Sequence, residues 1–131
     1  MDSQASSTAT APPTAAPIDL NAVRQRCGGD DSFTTAVLER FRKQAGVEVD
    51  RMAQALRDKQ IDALRRAAHN LKSMAAYVSA SAASDVSRQI EELAKSEETG
   101  GVPNLLNQLR SEIEQVIAWL NINAPSPESA R

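Results

Sequence analysis

The sequence predicts an all-α domain, an antiparallel four-helix bundle with one or two short N-terminal helices flanking it. Three observations carry this. Aromatic residues make up only 3% of the 131-residue chain, so the core must be built from Leu, Ile, Val, Met and Ala, which favour packed helices over a sheet. Apolar residues recur in steps of three and four along most of the chain, and no stretch alternates as a strand would. The connections between these segments are short, so consecutive helices should pack as antiparallel neighbours.

The elements follow in order. Met1 to Pro17 is Ser, Thr, Ala and Pro with almost no large apolar side chains, too little to offset the entropy of ordering, and is expected to be a disordered tail. Residues 18–122 form the helical domain, and 123–131, with Pro125 and Pro127, a second tail. Ile18 to Arg26 reads as a short helix, started by Asp19 or Asn21 and stopped by Gly28-Gly29. Asp30 or Asp31 offers the next N-cap, followed by Phe33, Val37, Leu38 and Phe41 at helical spacing. Gly46 marks a break or bend, after which Val49, Met52, Ala53 and Leu56 stripe a third helix ending near Lys59. A fourth runs from about Ile61 to Ser79 with the seam Ile61, Leu64, Ala68, Leu71, Ala75 and Val78. A fifth, about Ala82 to Glu97, presents Val86, Ile90 and Leu93 and ends at Thr99-Gly100-Gly101. The sixth opens with Pro103 in its first turn and carries Leu105, Leu106, Leu109, Ile113, Val116, Ile117 and Leu120. The last four would close the bundle, and the first two would cap or flank it.

Composition limits the function. The net charge is −2 with both signs mixed, unlike the basic footprint of a nucleic-acid-binding domain, and there is no aromatic stacking surface. No apolar stretch is long enough to span a bilayer, and the start lacks a charged region followed by an apolar one, so neither a membrane span nor a signal peptide is expected. The lone cysteine, Cys27, rules out an intrachain disulfide, fits a cytoplasmic setting and reads as a packed small hydrophobe. One histidine and one distant cysteine provide no metal-ligand spacing, so neither a metal nor another cofactor is expected. Trp119 reads as a core or cap residue.

His69 is the only histidine in the chain. At about 100° per residue it lies off the Leu64–Leu71–Ala75 seam, on a flank shared with Arg65, Lys72, Ser73 and Ala76. It should therefore be solvent-accessible. Ser73 and Ala76 are small and leave room for a large partner, while Lys72, Arg65 and Arg66 place positive charge where a phosphoryl group would sit. An imidazole with an ordinary pKa near 6.5 is largely neutral around pH 7, and its free nitrogen can act as a nucleophile without a triad. One histidine on a helix surface is by itself a weak signal, and Lys72 alone reads as a solvated charge.

The run Ala68-His69-Asn70-Leu71-Lys72-Ser73, with Ala75-Ala76 and Ser79-Ala80 after it, resembles the signature of histidine-containing phosphotransfer (HPt) domains, Ala-His-x-Leu-Lys-Gly followed by small residues and a Gly-Ala pair. Ile18-Asp19-Leu20, Asp30-Asp31-Ser32-Phe33 and Ile90-Glu91-Glu92-Leu93 also have counterparts, so the resemblance covers about Ile18 to Asn121. This chain departs from the pattern at Ser73 and Ser79, where the family has glycine.

The resemblance implies a two-component phosphorelay intermediate. His69 would accept a phosphoryl group from a receiver aspartate and pass it to another receiver, with Lys72 stabilising the group and Ser73 and Ala76 keeping the approach open. The chain would be a carrier without autokinase activity, in keeping with the lack of a Gly-rich phosphate loop. Mg²⁺ would belong to the receiver. Partners would be response-regulator receivers and a hybrid sensor histidine kinase, docking near Phe33, Val37, Arg65 and Arg66; separately, the chain is expected to be a monomer, because the sixth helix can be buried within the bundle. Two rivals stand beside this reading. One is a helical scaffold or receiver-binding module without phosphotransfer. The other is an enzyme using His69 as general base, against which counts the lack of a companion carboxylate motif.

Overall fold

The structure is a computed structural model that describes residues 16–124. Most of both expected tails, residues 1–15 and 125–131, lies outside the described residues. Among the described residues, five α-helices run in chain order: α1 Leu20–Arg26, α2 Asp31–Arg57, α3 Ile61–Tyr77, α4 Ser81–Lys95 and α5 Val102–Asn123, with a 3₁₀ turn Thr99–Gly101 leading into α5. Helix α3 packs between α2 and α4, and α5 closes the four-helix bundle against both. Helix α1 flanks the start of α2, with Ile18, Val23 and Cys27 buried beneath it.

One expectation needs correcting. No helix breaks at Gly46; the second and third expected segments are a single 27-residue helix, so only α1 flanks the bundle. The reason is visible in the phase of the apolar stripe. Leu38, Phe41, Ala45, Val49, Met52 and Ala55 are all buried, and the stripe passes Gly46 without a slip. Gly46 itself is exposed, and its cost of about 1 kcal/mol relative to alanine is small beside the burial of that face.

Asp19 caps α1 by accepting from the Ala22 amide, and Asp30 caps α2 through the Phe33 amide. At the other ends, α1 to α4 each close with the paired 6→1 and 5→2 backbone bonds of a Schellman turn. In α3 these are Ala80 N to Ala75 O at 2.8 Å and Ser79 N to Ala76 O at 3.0 Å. The residue in the left-handed region is Gly28 after α1, but Lys59, Ser79 and Glu97 after α2, α3 and α4. Ser79, at φ 60°, takes a position where glycine would be unstrained, and its hydroxyl accepts a 2.7 Å bond from Arg26. Arg26 also donates to Tyr77 O at 2.8 Å, which ties α1 to the α3–α4 turn.

The end of α5 is held from α2. The nearly buried Arg42 pairs with Glu39 and reaches Asn121 Oδ1 at 2.6 Å and the carbonyl of Ala124. It supplies donors and positive charge where the last carbonyls of α5 lack intrahelical partners.

Candidate functional site

The seam of α3 puts Leu64, Ala68, Leu71, Ala75 and Val78 into the core and turns His69 outward. The imidazole is 54% exposed, as its helical phase requires. It is not isolated. Glu91 of α4 lies beneath it, its side chain only 6% exposed, with Oε2 2.9 Å from His69 Nδ1. Its other oxygen, Oε1, is 2.8 Å from Lys72 Nζ, and Lys95 Nζ stands 4.0 Å from Oε2. One buried carboxylate thus holds the histidine and the lysine three residues after it.

The charge state of Glu91 decides what His69 can do. Burial, the largest single influence, pushes its carboxyl pKa up. Hydrogen bonds from Lys72 and His69, with the Lys72 charge, together outweigh burial and hold the pKa below its ordinary value. Glu91 is therefore ionised near neutral pH and can only accept hydrogen bonds. Whenever the ring is neutral, His69 Nδ1 must then carry the proton, which leaves the lone pair on Nε2. The arrangement is an imidazole with one favoured tautomer, held at Nδ1 by a carboxylate that also binds the Lys72 ammonium. A positive charge developing on the ring during attack would be met by the Glu91 carboxylate.

The sequence shows no companion carboxylate motif for His69, yet the fold supplies a carboxylate from another helix. Glu91 lies 22 residues downstream and escapes any local motif. A signal was nevertheless present in the phase of α4. Glu91 falls in step with Ala83, Ser87 and Ala94, all buried, so a charged residue sits on an inward stripe of small ones.

The other expected site residues are distributed as follows. Ser73 and Ala76 are exposed on α3 beyond His69. Arg65 and Arg66 lie a turn before it, but both are tied to Asp62 and are not free cations aimed at the imidazole. Phe33 is 49% exposed near the start of α2, whereas Val37 is half-buried against the core. Neither shares a hydrogen bond or ion pair with the His69 cluster. Cys27 is buried and Trp119 half-buried against the core, as expected of packing residues.

The Hpt domain family model matches residues 36–119, a span that takes in most of α2, all of α3 and α4, and most of α5. The chain belongs to the Hpt domain family. A crystal structure of histidine-containing phosphotransfer protein B (HptB) from Pseudomonas aeruginosa PAO1 superposes on this Hpt domain with a TM-score of 0.73 at 20% identity. The alignment covers 81% of this chain and 93% of that one, and at this identity it establishes the common helical fold. No curated protein sequence matches the chain. The Hpt match includes His69, Lys72 and Glu91 but begins after Phe33, so α1 and the first turn of α2 lie outside it. No helix among the described residues is long and apolar enough to cross a membrane.

Proposed function

We propose that this Hpt domain is a phosphorelay intermediate in which His69 Nε2 accepts a phosphoryl group from a receiver aspartate and passes it to a second receiver. The observation that carries this reading is the 2.9 Å contact of Nδ1 with ionised Glu91, which leaves Nε2 as the reactive nitrogen. In the first transfer the Nε2–P bond forms and the aspartyl O–P bond breaks, and the carboxylate leaves with the bonding pair. The Nδ1 proton stays on the ring, so the phosphorylated imidazole is cationic and bonded to Glu91. Reversal at another receiver returns the lone pair to Nε2.

Lys72 is the residue expected to shield the phosphoryl charge, since its side chain is 31% exposed and its ammonium shares the Glu91 carboxylate with His69. Ser73 and Ala76 keep the approach open, and exposed Phe33 with Val37, Arg65 and Arg66 are the proposed docking residues. The divalent cation of such transfers belongs to the receiver, and the chain acts as a cytoplasmic, monomeric carrier that uses no nucleotide and brings no cofactor of its own.

The test is incubation with phosphorylated receiver domains encoded in the same genome. The expected product is acid-labile, base-stable phosphate on the chain, lost in His69→Gln with helicity by circular dichroism unchanged. No transfer from any receiver would instead identify a scaffold.

A further inference from the structure

A second buried carboxylate lies on the side of α3 that faces α2. Glu48 is 5% exposed, yet it lines an open groove of about 380 Å³ between α2 and α3. Arg51, a turn further along α2, binds one of its oxygens, Oε2, at 3.0 Å. The other, Oε1, is fully buried and has no hydrogen-bond partner among the described residues. Half-satisfying a buried carboxylate is costly, because the unpaired oxygen has lost water without gaining a donor. The floor and walls near it are small, with Ala55, Ala63 and Ala67, and the rim carries Gln54, Arg66 and Asn70. Oε1 has no accessible surface of its own, so an entering donor reaches it as the groove side chains move aside, and then meets an acceptor already desolvated.

We propose that this groove seats a lysine or arginine side chain of the docking receiver domain, and that the contact with Glu48 Oε1 helps set which receivers are accepted. The inference rests on the phosphorelay reading above. A basic side chain is the fitting occupant because a charged donor to a buried carboxylate makes the strongest of the available hydrogen bonds. The receiver is the fitting source because of position. Asn70 follows His69 directly and Arg66 precedes it by one turn, so the groove adjoins the reactive face. A partner of ordinary interface size buries about 800 Å², a patch of roughly 15 Å radius. A receiver centred on His69 and reaching over the α2 side of α3 would cover the groove. Arg51, 63% exposed and bound to the same carboxylate, competes with an incoming cation and repels it.

These relations predict opposite effects for two neighbouring residues. With the receiver domain that transfers best to the wild-type chain, Glu48→Gln should raise the half-saturating concentration about tenfold. The rate at saturation should not change. Arg51→Gln should lower the half-saturating concentration severalfold. Labelling of His69 by phosphoramidate, which needs no receiver, should be the same in all three proteins. Unchanged half-saturation in Glu48→Gln, or equal weakening in both variants, would overturn the proposal while leaving the relay intact. So would free arginine binding at Glu48 in calorimetry with receiver affinity indifferent to that residue, which would mark a small-molecule site. Should Glu48→Gln fail to fold, Arg51→Gln decides alone, and unchanged or weaker receiver binding counts against the proposal. A wild-type chain labelled by phosphoramidate but served by no receiver would overturn the relay reading, and this inference with it.

Discussion

Glu91 Oε2 lies 2.9 Å from His69 Nδ1, across the boundary between two helices and 22 residues along the chain. This one contact converts a surface histidine into a group with a defined tautomer and orientation. Glu91→Ala should release the ring and strip Lys72 of its acceptor. Misplacing a nucleophile costs up to about a hundredfold in rate, so single-turnover transfer from a phosphorylated receiver should slow roughly ten- to a hundredfold. Glu91→Gln keeps an acceptor oxygen for Nδ1–H and should lose less. Nitrogen-15 spectra of the imidazole provide an independent check, with the wild type protonated at Nδ1 and the alanine variant shifted toward the other tautomer.

Lys72→Ala should leave that tautomer intact, because Glu91 still accepts from Nδ1. Phosphorylation should persist but proceed severalfold more slowly, with a shorter-lived phosphohistidine. A variant with wild-type kinetics would remove Lys72 from the chemistry.

Stability should depend on pH through Glu91. Its folded-state pKa is depressed below the ordinary value of 4.5, so the unfolded chain binds its proton more readily. The stabilisation from the Lys72 and His69 contacts is therefore fully present above about pH 5 and is lost as pH falls through the depressed folded value. Urea unfolding of wild type and Glu91→Gln should show a steeper wild-type slope below pH 5, on top of the slope that Asp62 and Asp85 give both proteins.

Ser79 occupies left-handed backbone that costs an L-residue about 1 kcal/mol or more. Ser79→Gly relieves the strain and Ser79→Ala keeps it, while both lose the Arg26 bond. The glycine variant should therefore be more stable than the alanine variant by about 1 kcal/mol in chemical denaturation. Transfer assays on the two would separate effects of strain from effects of the missing hydroxyl.

Arg42→Ala should cost about 1.5–3 kcal/mol, the range for charge-assisted hydrogen bonds in a sheltered place, since it leaves Glu39 unpaired and the end of α5 uncapped. Thermal unfolding would register the loss, and hydrogen exchange should localise it to the last turn of α5. Phosphorylation of His69 should be untouched.

The bundle was legible in the sequence because its stripes are long and regular. His69 was correctly placed on the outside by counting from Leu64, Leu71 and Ala75. Two kinds of information were not legible. Glycine at position 46 carries the local signature of a helix break, and only the continuous burial from Leu38 to Ala55 overrides it. Conversely, α2, α3 and α4 end at left-handed residues that are not glycine, so their termini carry no local mark and were placed up to two residues late. Glu91 was missed for a third reason. Its partner is chosen by the packing of α3 on α4, and no spacing within either helix encodes that.

The α3–α4 interface is faced with small buried residues, Ala68 and Ala75 on one helix and Ala83 and Ser87 on the other, and Ser84 Oγ bridges to Lys72 O at 3.0 Å. Side-chain volume at these positions is thus a ruler for the gap that Glu91 must cross. A methyl group added at Ala83, far from any reacting atom, would lengthen a hydrogen bond at the surface. The reactivity proposed for His69 is in this sense a property of the core, and substitutions that keep the helices but respace them should tune it.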